Sequence, residues 1–175
     1  MLEIEIKVRV QDLAPIRERL RELHADLTGT TCEHDVYFNA PHRDFARTDE
    51  ALRVRYSDNN VIVTYKGAKI PGFEFKAREE INVTIENGAG FESILERLGF
   101  KKTAVVDKTR EYYHYGEASI TLDDVKGLGF FVEIELTGNE AGSSVTGKIN
   151  SIAEKIGVEG EQILSSYLEL LLATR

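Results

Sequence analysis

The chain has 175 residues, 42% of them apolar and 30% charged, with a formal net charge of −8. That length suits one domain with a real core. The acidic balance excludes a general binder of nucleic acid or anionic membrane, either of which needs a basic surface. The single cysteine, Cys32, excludes an intramolecular disulfide and a cysteine-built zinc site.

Strict alternation of charged and apolar residues predicts a first strand over Leu2–Val10. A helix fits Leu13–His24, with Pro15 tolerated in its first turn. Strands follow at Asp35–Asn39, Ala51–Ser57, Val61–Lys66 and Ala77–Ile85, with Asp58-Asn59-Asn60 as a hairpin turn. A helix over Gly90–Leu98 stops at Gly99. Strands Ala104–Tyr115, Ser119–Val125 and Phe130–Thr137 form a meander through turns at Gly116-Glu117 and Lys126–Gly129. Helices fit Val145–Ile156 and Ile163–Ala173. Pro41–Asp49 and Gly67–Gly72 read as exposed loops able to serve as lids. Eight strands and four helices suggest an antiparallel sheet that closes into a barrel, in one domain over residues 1–175.

A weak internal repeat runs through this pattern. At an offset of 75 residues, Glu5 falls on Glu80, Leu20 on Leu95, Leu23 on Leu98 and Tyr37 on Tyr112. At 68 or 69 residues, Arg53 and Arg55 fall on Thr121 and Asp123, and Lys66 falls on Glu135. Each half would then be a strand, a helix and three strands.

The histidines His24, His34, His42 and His114 are scattered and show no metal-ligand spacing. The N-terminus is too charged for a signal peptide, and the apolar stretch Tyr167–Ala173 is too short to span a bilayer, so a cytoplasmic location is expected, with no membrane or nucleic-acid partner. A homodimer is allowed, with the outer sheet face or the final helix as its contact.

Seven of the eight strands carry charge at one parity. Glu3, Glu5 and Lys7 share a face, as do Arg53 with Arg55, Arg78 with Glu80, Lys108 with Arg110, and Glu133 with Glu135; Lys66 and Asp123 stand with Thr64 and Thr121. A one-sided sheet with its charges toward water is the ordinary explanation. Solvent faces, however, are usually rich in Thr, Ser, Gln and Lys, and here nearly every position is fully charged. The alternative is an inverted sheet, with apolar side chains outward under helices and charges around a hydrated bore. Seven cations and six anions then give the lining a charge of +1, while the rest of the chain carries −9. Clustered carboxylates ask for a hard divalent cation such as Mg²⁺ or Mn²⁺. Clustered Arg and Lys ask for phosphate oxygens. Two divalent ions would raise the lining to about +5, and a triphosphate bringing about −4 would leave it near neutral.

Glu3-Ile-Glu5-Ile-Lys7 resembles the ExExK signature of the CYTH superfamily, which includes class IV adenylyl cyclases, thiamine triphosphatases and inorganic triphosphatases. The similarity continues in order through Asp35-Val-Tyr37-Phe, Leu52-Arg53-Val-Arg55, Thr64-Tyr-Lys66-Gly, Arg78-Glu-Glu80, Lys108-Thr-Arg110, Leu122-Asp123-Asp124-Val, Glu133-Ile-Glu135 and Ser166-Tyr167. The resemblance implies an α+β fold, an eight-stranded antiparallel β-barrel called a triphosphate tunnel, with flanking helices. It implies metal ligands among Glu3, Glu5, Asp123, Glu133 and Glu135, with Mg²⁺ or Mn²⁺ as cofactor. It also implies phosphate binding by Arg53, Arg55, Lys66, Arg78, Lys108 and Arg110. Lys7, Glu5, Glu135 and Arg55 are the expected catalytic group. Lys7 has three open roles: holding phosphate, deprotonating a nucleophile, or a structural ion pair with Glu80 or Glu133.

The chain looks closest to the class IV cyclase branch, which implies conversion of ATP to cyclic AMP and pyrophosphate. The alternatives are hydrolysis of inorganic triphosphate, thiamine triphosphate or a nucleoside triphosphate, and a non-catalytic protein that binds polyphosphate or nucleotide. Specificity would come from the two loops, Tyr37 and the final helix.

Overall fold

Period-two alternation sets the architecture. A computed structural model describes residues 2–58, 60–70, 78–138 and 143–174. Its strands are β1 (Leu2–Val10), β2 (Asp26–Asn39), β3 (Ala51–Ser57), β4 (Asn60–Lys66), β5 (Glu80–Ile85), β6 (Lys101–Tyr115), β7 (Ala118–Val125) and β8 (Gly129–Gly138). Its helices are α1 (Ala14–Glu22), α2 (Phe45–Thr48), α3 (Gly88–Arg97), α4 (Ser143–Lys155) and α5 (Tyr167–Ala173). All strand pairs are antiparallel, in the order β1-β8-β7-β6-β2-β3-β4-β5. The sheet curls until side chains from β1, β2, β3, β4, β5, β6 and β8 line one cavity. Among the described residues no ladder joins β1 to β5, so the expected barrel is a strongly curled sheet rather than a hydrogen-bonded cylinder.

The strand order carries the repeat. The first strand of each half, β1 or β5, pairs with the last strand of the other half, and the long strands β2 and β6 pair at the centre. The helix ends match at the same 75-residue offset. Ala25 N donates to Leu20 O and Phe100 N to Leu95 O, each at 2.9 Å. His24 N donates to Arg21 O and Gly99 N to Glu96 O, each at 3.0 Å, and both residues have positive φ, 54° and 88°.

Apolar side chains face outward from the sheet and bury under helices. Ile6, Val8, Ile120, Leu122, Val132 and Ile134 pack with Ile16 and Leu20 of α1 and Ile149 of α4. Val36, Phe38 and Val54 pack with Leu95 of α3. A third cluster lies on the inner face. Tyr37, Val106, Val125 and Phe131 share parity with the charged residues, and Tyr167 of α5 packs on them. The inner face therefore carries an apolar plug beside its charged lining.

The differences from expectation are local. β2 begins at Asp26 rather than Asp35, because the Thr-rich run before it extends the pairing with β6 through a register shift at Gly29. Asp44 caps a short helix, α2, by accepting from Ala46 N at 3.1 Å, inside what reads as a loop. α5 starts at Tyr167, not Ile163. Ser166 supplies a capping box with Glu169, and the residues before it run extended along β1, with Ile163 N donating to Lys7 O at 2.7 Å. The expected strand Ala77–Ile85 begins later, as β5 at Glu80, with Arg78 and Glu79 outside any strand; Ala77, like Asn59 of the hairpin turn and Pro71 and Gly72 of the second loop, lies outside the described residues. No helix is long and apolar enough to cross a membrane among the described residues.

Candidate functional site

The charges point inward. Lys7, Glu33, Asp35, Arg53, Arg78, Lys108 and Asp123 are all buried, and none is more than 9% exposed. The ordinary explanation, a sheet with its charges toward water, does not describe this molecule. The cavity has a volume of about 290 Å³ and takes in Glu5, Lys7, Arg53, Arg55, Lys66, Arg78, Glu80, Lys108, Arg110, Glu133 and Glu135. Arg78 reaches it from the residue pair preceding β5 rather than from a strand. Two of the residues named from sequence stand apart. Asp123 is 0% exposed, behind the cavity lining. Glu3 belongs to β1, but its side chain lies outside the described residues.

Strand register explains the gathering. Glu5 lies opposite Glu135 and Lys7 opposite Glu133 across β1 and β8. Arg110 lies opposite Asp123, Asp35 opposite Arg55, and Glu33 opposite Lys108. Directly opposed side chains are close enough to pair.

The eighth strand is no exception to the charge pattern. Glu33 and Asp35 of β2 are buried among the cations. Their spacing with Tyr37 was the available signal, obscured by starting the strand at Asp35. Counting them moves the lining from +1 to −1. Asp35 accepts a fork from Arg55, Nε at 2.6 Å and Nη2 at 2.7 Å. Glu33 sits 2.9 Å from Arg55 Nη2 and 3.1 Å from Lys108 Nζ, and accepts from the Tyr112 hydroxyl. Burial pushes Asp35 up, but the Arg55 fork and the charges of Arg53, Arg55 and Lys108 outweigh it and hold the carboxyl at about 2.

The cations fall into two groups. Arg55 and Arg110 are held by internal acids; Arg110 donates through Nε to Asp123 at 2.6 Å and through Nη2 to Asp123 and Glu133. Arg53 and Arg78 are held more loosely. Arg53 Nη2 donates to Thr64 at 3.1 Å, and Arg78 Nη2 donates to Asp49 at 3.4 Å. Among the described residues, the buried Nε donors of both find no acceptor. An unmet buried donor is costly, and an anion would satisfy it.

Lys7 is ion-paired with Glu133 at 3.1 Å and donates to Ser165 O at 3.2 Å. Glu80 pairs with Lys66 instead. Burial, and then the charge of Arg110, lowers Lys108 to about 8. Glu5, Glu133 and Glu135 offer an all-oxygen donor set on adjacent strands, the chemistry of Mg²⁺ or Mn²⁺. Among the described residues no three acidic, His or Cys side chains form a ready-made ligand cluster. Mg²⁺ usually takes one or two carboxylates and completes its shell with water and substrate phosphate, so the facing pair Glu5 and Glu135 fits it.

The rim comes from the loops. Asp44, Phe45, Ala46 and Asp49, together with Tyr37 and residues of α5, complete the lining. Lys69 ties two parts of this rim together, donating through Nζ to Asp49 at 2.8 Å and to Glu169 at 3.2 Å.

The chain is similar to known proteins along nearly its whole length. The protein MJ0240 of Methanocaldococcus jannaschii, which carries the provisional name of an adenylate cyclase, is 39% identical over 173 residues, covering 97% of this chain and 98% of the relative. Adenylate cyclase CyaB of Aeromonas hydrophila is 26% identical over 164 residues, covering 92% of this chain and 83% of the relative. The PH1819 protein of Pyrococcus horikoshii OT3 is 40% identical and superposes with a TM-score of 0.89, covering 99% of both chains. The model of the CYTH domain matches residues 1–167, and the chain belongs to the CYTH domain family.

Proposed function

We propose that the protein is a metal-dependent enzyme acting on a triphosphate, converting ATP to cyclic AMP and pyrophosphate in the manner of class IV adenylyl cyclases. One observation carries the substrate class: Arg53 and Arg78 line the cavity with buried Nε donors that no described residue satisfies. Phosphate oxygens are the acceptors suited to them. The cyclase names of the two curated relatives support the reaction.

Each residue then has a role. Arg53 and Arg78, with Lys66 and Lys108, bind the phosphate oxygens. Arg55 and Arg110 shape the wall and set its potential, because their charges are already shared with Asp35, Glu33, Asp123 and Glu133. Glu5 and Glu135, with Glu133 beside them, hold Mg²⁺ or Mn²⁺. When bound, such an ion supplies Lewis-acid charge at the phosphate oxygens. The ribose 3′-hydroxyl attacks the α-phosphorus and gives up its proton to water, the bond from that phosphorus to the α,β-bridging oxygen breaks and pyrophosphate leaves, while the cations of the wall neutralise charge on the oxygens. Lys7, held between Glu133 and Ser165 O, orients the Glu133 carboxylate and adds its positive charge to the cavity.

The test is product analysis with ATP, and separately with inorganic triphosphate, in Mg²⁺ and in Mn²⁺. Cyclic AMP and pyrophosphate are expected from ATP. Orthophosphate alone would make the same residues a triphosphatase, and binding without turnover would make the protein a polyphosphate or nucleotide receptor.

A further inference from the structure

Tyr167 stands where the apolar plug of the bore meets its charged interior. It is 6% exposed and begins α5. Its ring packs edge-on against Phe131, centroids 5.0 Å apart. Its hydroxyl donates to Asp123 Oδ2 at 2.6 Å. Two ammonium groups lie over the same ring: Lys7 Nζ is 4.2 Å from the centroid and Lys108 Nζ 5.1 Å. Both distances are within the range in which a ring quadrupole attracts a cation. The lysines come from β1 and β6, strands that are not neighbours in the sheet.

We propose that Tyr167 is a positioning residue, which holds Lys7 and Lys108 against one aromatic ring so that both ammoniums are set before a triphosphate arrives. The inference rests on the triphosphate reading of the cavity and goes beyond it by giving the C-terminal segment a part in substrate binding. Lysine side chains have long, flexible stems, and ordering one on binding costs affinity. Glu133 and Glu33 each hold one of the two lysines, at 3.1 Å. The ring touches both. The segment before it is stitched to the same lysine, since Ile163 N donates to Lys7 O at 2.7 Å and Lys7 Nζ donates to Ser165 O at 3.2 Å. The hydroxyl bond to Asp123 fixes the rotation of the ring about the plug, and Phe131 fixes its depth.

The experiment is calorimetric titration of the whole protein with inorganic triphosphate in Mg²⁺. Tyr167→Met, which fills the space against Phe131 but offers no aromatic face, is expected to bind about tenfold more weakly. Tyr167→Phe keeps the ring and is expected to recover binding to within about threefold of native. In a Lys7→Met/Lys108→Met background, adding Tyr167→Met is expected to change affinity by less than about twofold, because the groups it positions are gone. A still tenfold loss in that background would overturn the proposal in favour of a packing role. Should Tyr167→Met fail to fold, fluorinated phenylalanines at position 167 keep the shape and weaken the negative face. Affinity falling stepwise with fluorination supports the role, and no trend overturns it. A native protein that binds while Tyr167→Met binds as tightly overturns the positioning role alone. A native protein that gives a flat titration overturns the triphosphate reading beneath it.

Discussion

Asp35 and Asp123 hold equivalent posts in the two halves of the sheet. Each is a buried carboxylate gripped through Nε and Nη2 of one arginine on an adjacent strand, Arg55 for the first and Arg110 for the second. The charges are swapped between halves. β2 carries the acid and β3 the base in the first half, while β6 carries the base and β7 the acid in the second. The two forks therefore turn the repeat into a bore with interleaved acidic and basic sectors, and they hold arginines that would otherwise repel one another.

The two groups of arginine predict two kinds of loss. Arg55→Ala leaves Asp35 buried without its main partner and takes one of several partners from Glu33, and is expected to cost about 3 kcal/mol of stability in urea denaturation. Arg53→Ala and Arg78→Ala remove donors held by weaker contacts. Each is expected to weaken triphosphate binding about tenfold while costing under about 1 kcal/mol of stability. Equal stability losses for Arg55→Ala and Arg53→Ala would refute the division.

The Asp35 fork also sets an acid limit. Its carboxyl is depressed to about 2, so the stabilisation is complete above the unfolded value near 3.8 and is lost as pH falls toward 2. The difference corresponds to about 2 kcal/mol from this group. Asp35→Asn should flatten the stability profile between about pH 4 and pH 2. A slope unchanged by that substitution would assign the acid sensitivity to other carboxylates.

Much of this could be read in the sequence, for a physical reason. Alternation is a local property, so the ends of β1 and β3 and the inward parity of Lys7, Arg53, Arg55, Lys108 and Glu135 follow from neighbouring residues. Closure is not local. Nothing near Glu33 says that Lys108 will lie opposite it, 75 residues away in sequence. Asp123 shows the same limit from the other side. Its parity is right for the bore, but Tyr167, from the far end of the chain, and Arg110 occupy its oxygens. The start of α5 has the same limit: the bonds of Gln162 and Ile163 to β1 keep the chain out of the helix until Ser166 caps it.

The facing carboxylates predict a loss confined to chemistry. Glu5→Gln and Glu135→Gln are close in shape and stand opposite one another. Each is expected to lower metal-dependent turnover at least a hundredfold, a loss of about 2.7 kcal/mol in transition-state stabilisation, with the circular dichroism spectrum unchanged. Chelator should reduce the native protein to the same level. Turnover that survives both chelator and Glu135→Gln would remove the metal from the mechanism.

Lys108 gives the binding site its own pH dependence. Burial and the charge of Arg110 depress it to about 8 from an ordinary value of 10.5. Below about 8 it is an ammonium in the folded protein, and above it the charge is lost while the unfolded chain keeps its proton. The unfolded state then binds more protons, so stability without ligand is expected to rise from about pH 8 to about 10.5. Affinity moves the other way. Triphosphate binding should weaken about tenfold as pH rises through this range, the scale of one charge-assisted hydrogen bond. Bound triphosphate favours the ammonium, so the step in the complex lies above that in the free protein. Lys108→Arg keeps the charge at every pH in the range, and calorimetric titrations of that variant between pH 7 and about 10 should show no step. A step that persists in Lys108→Arg would place the titrating group elsewhere in the bore.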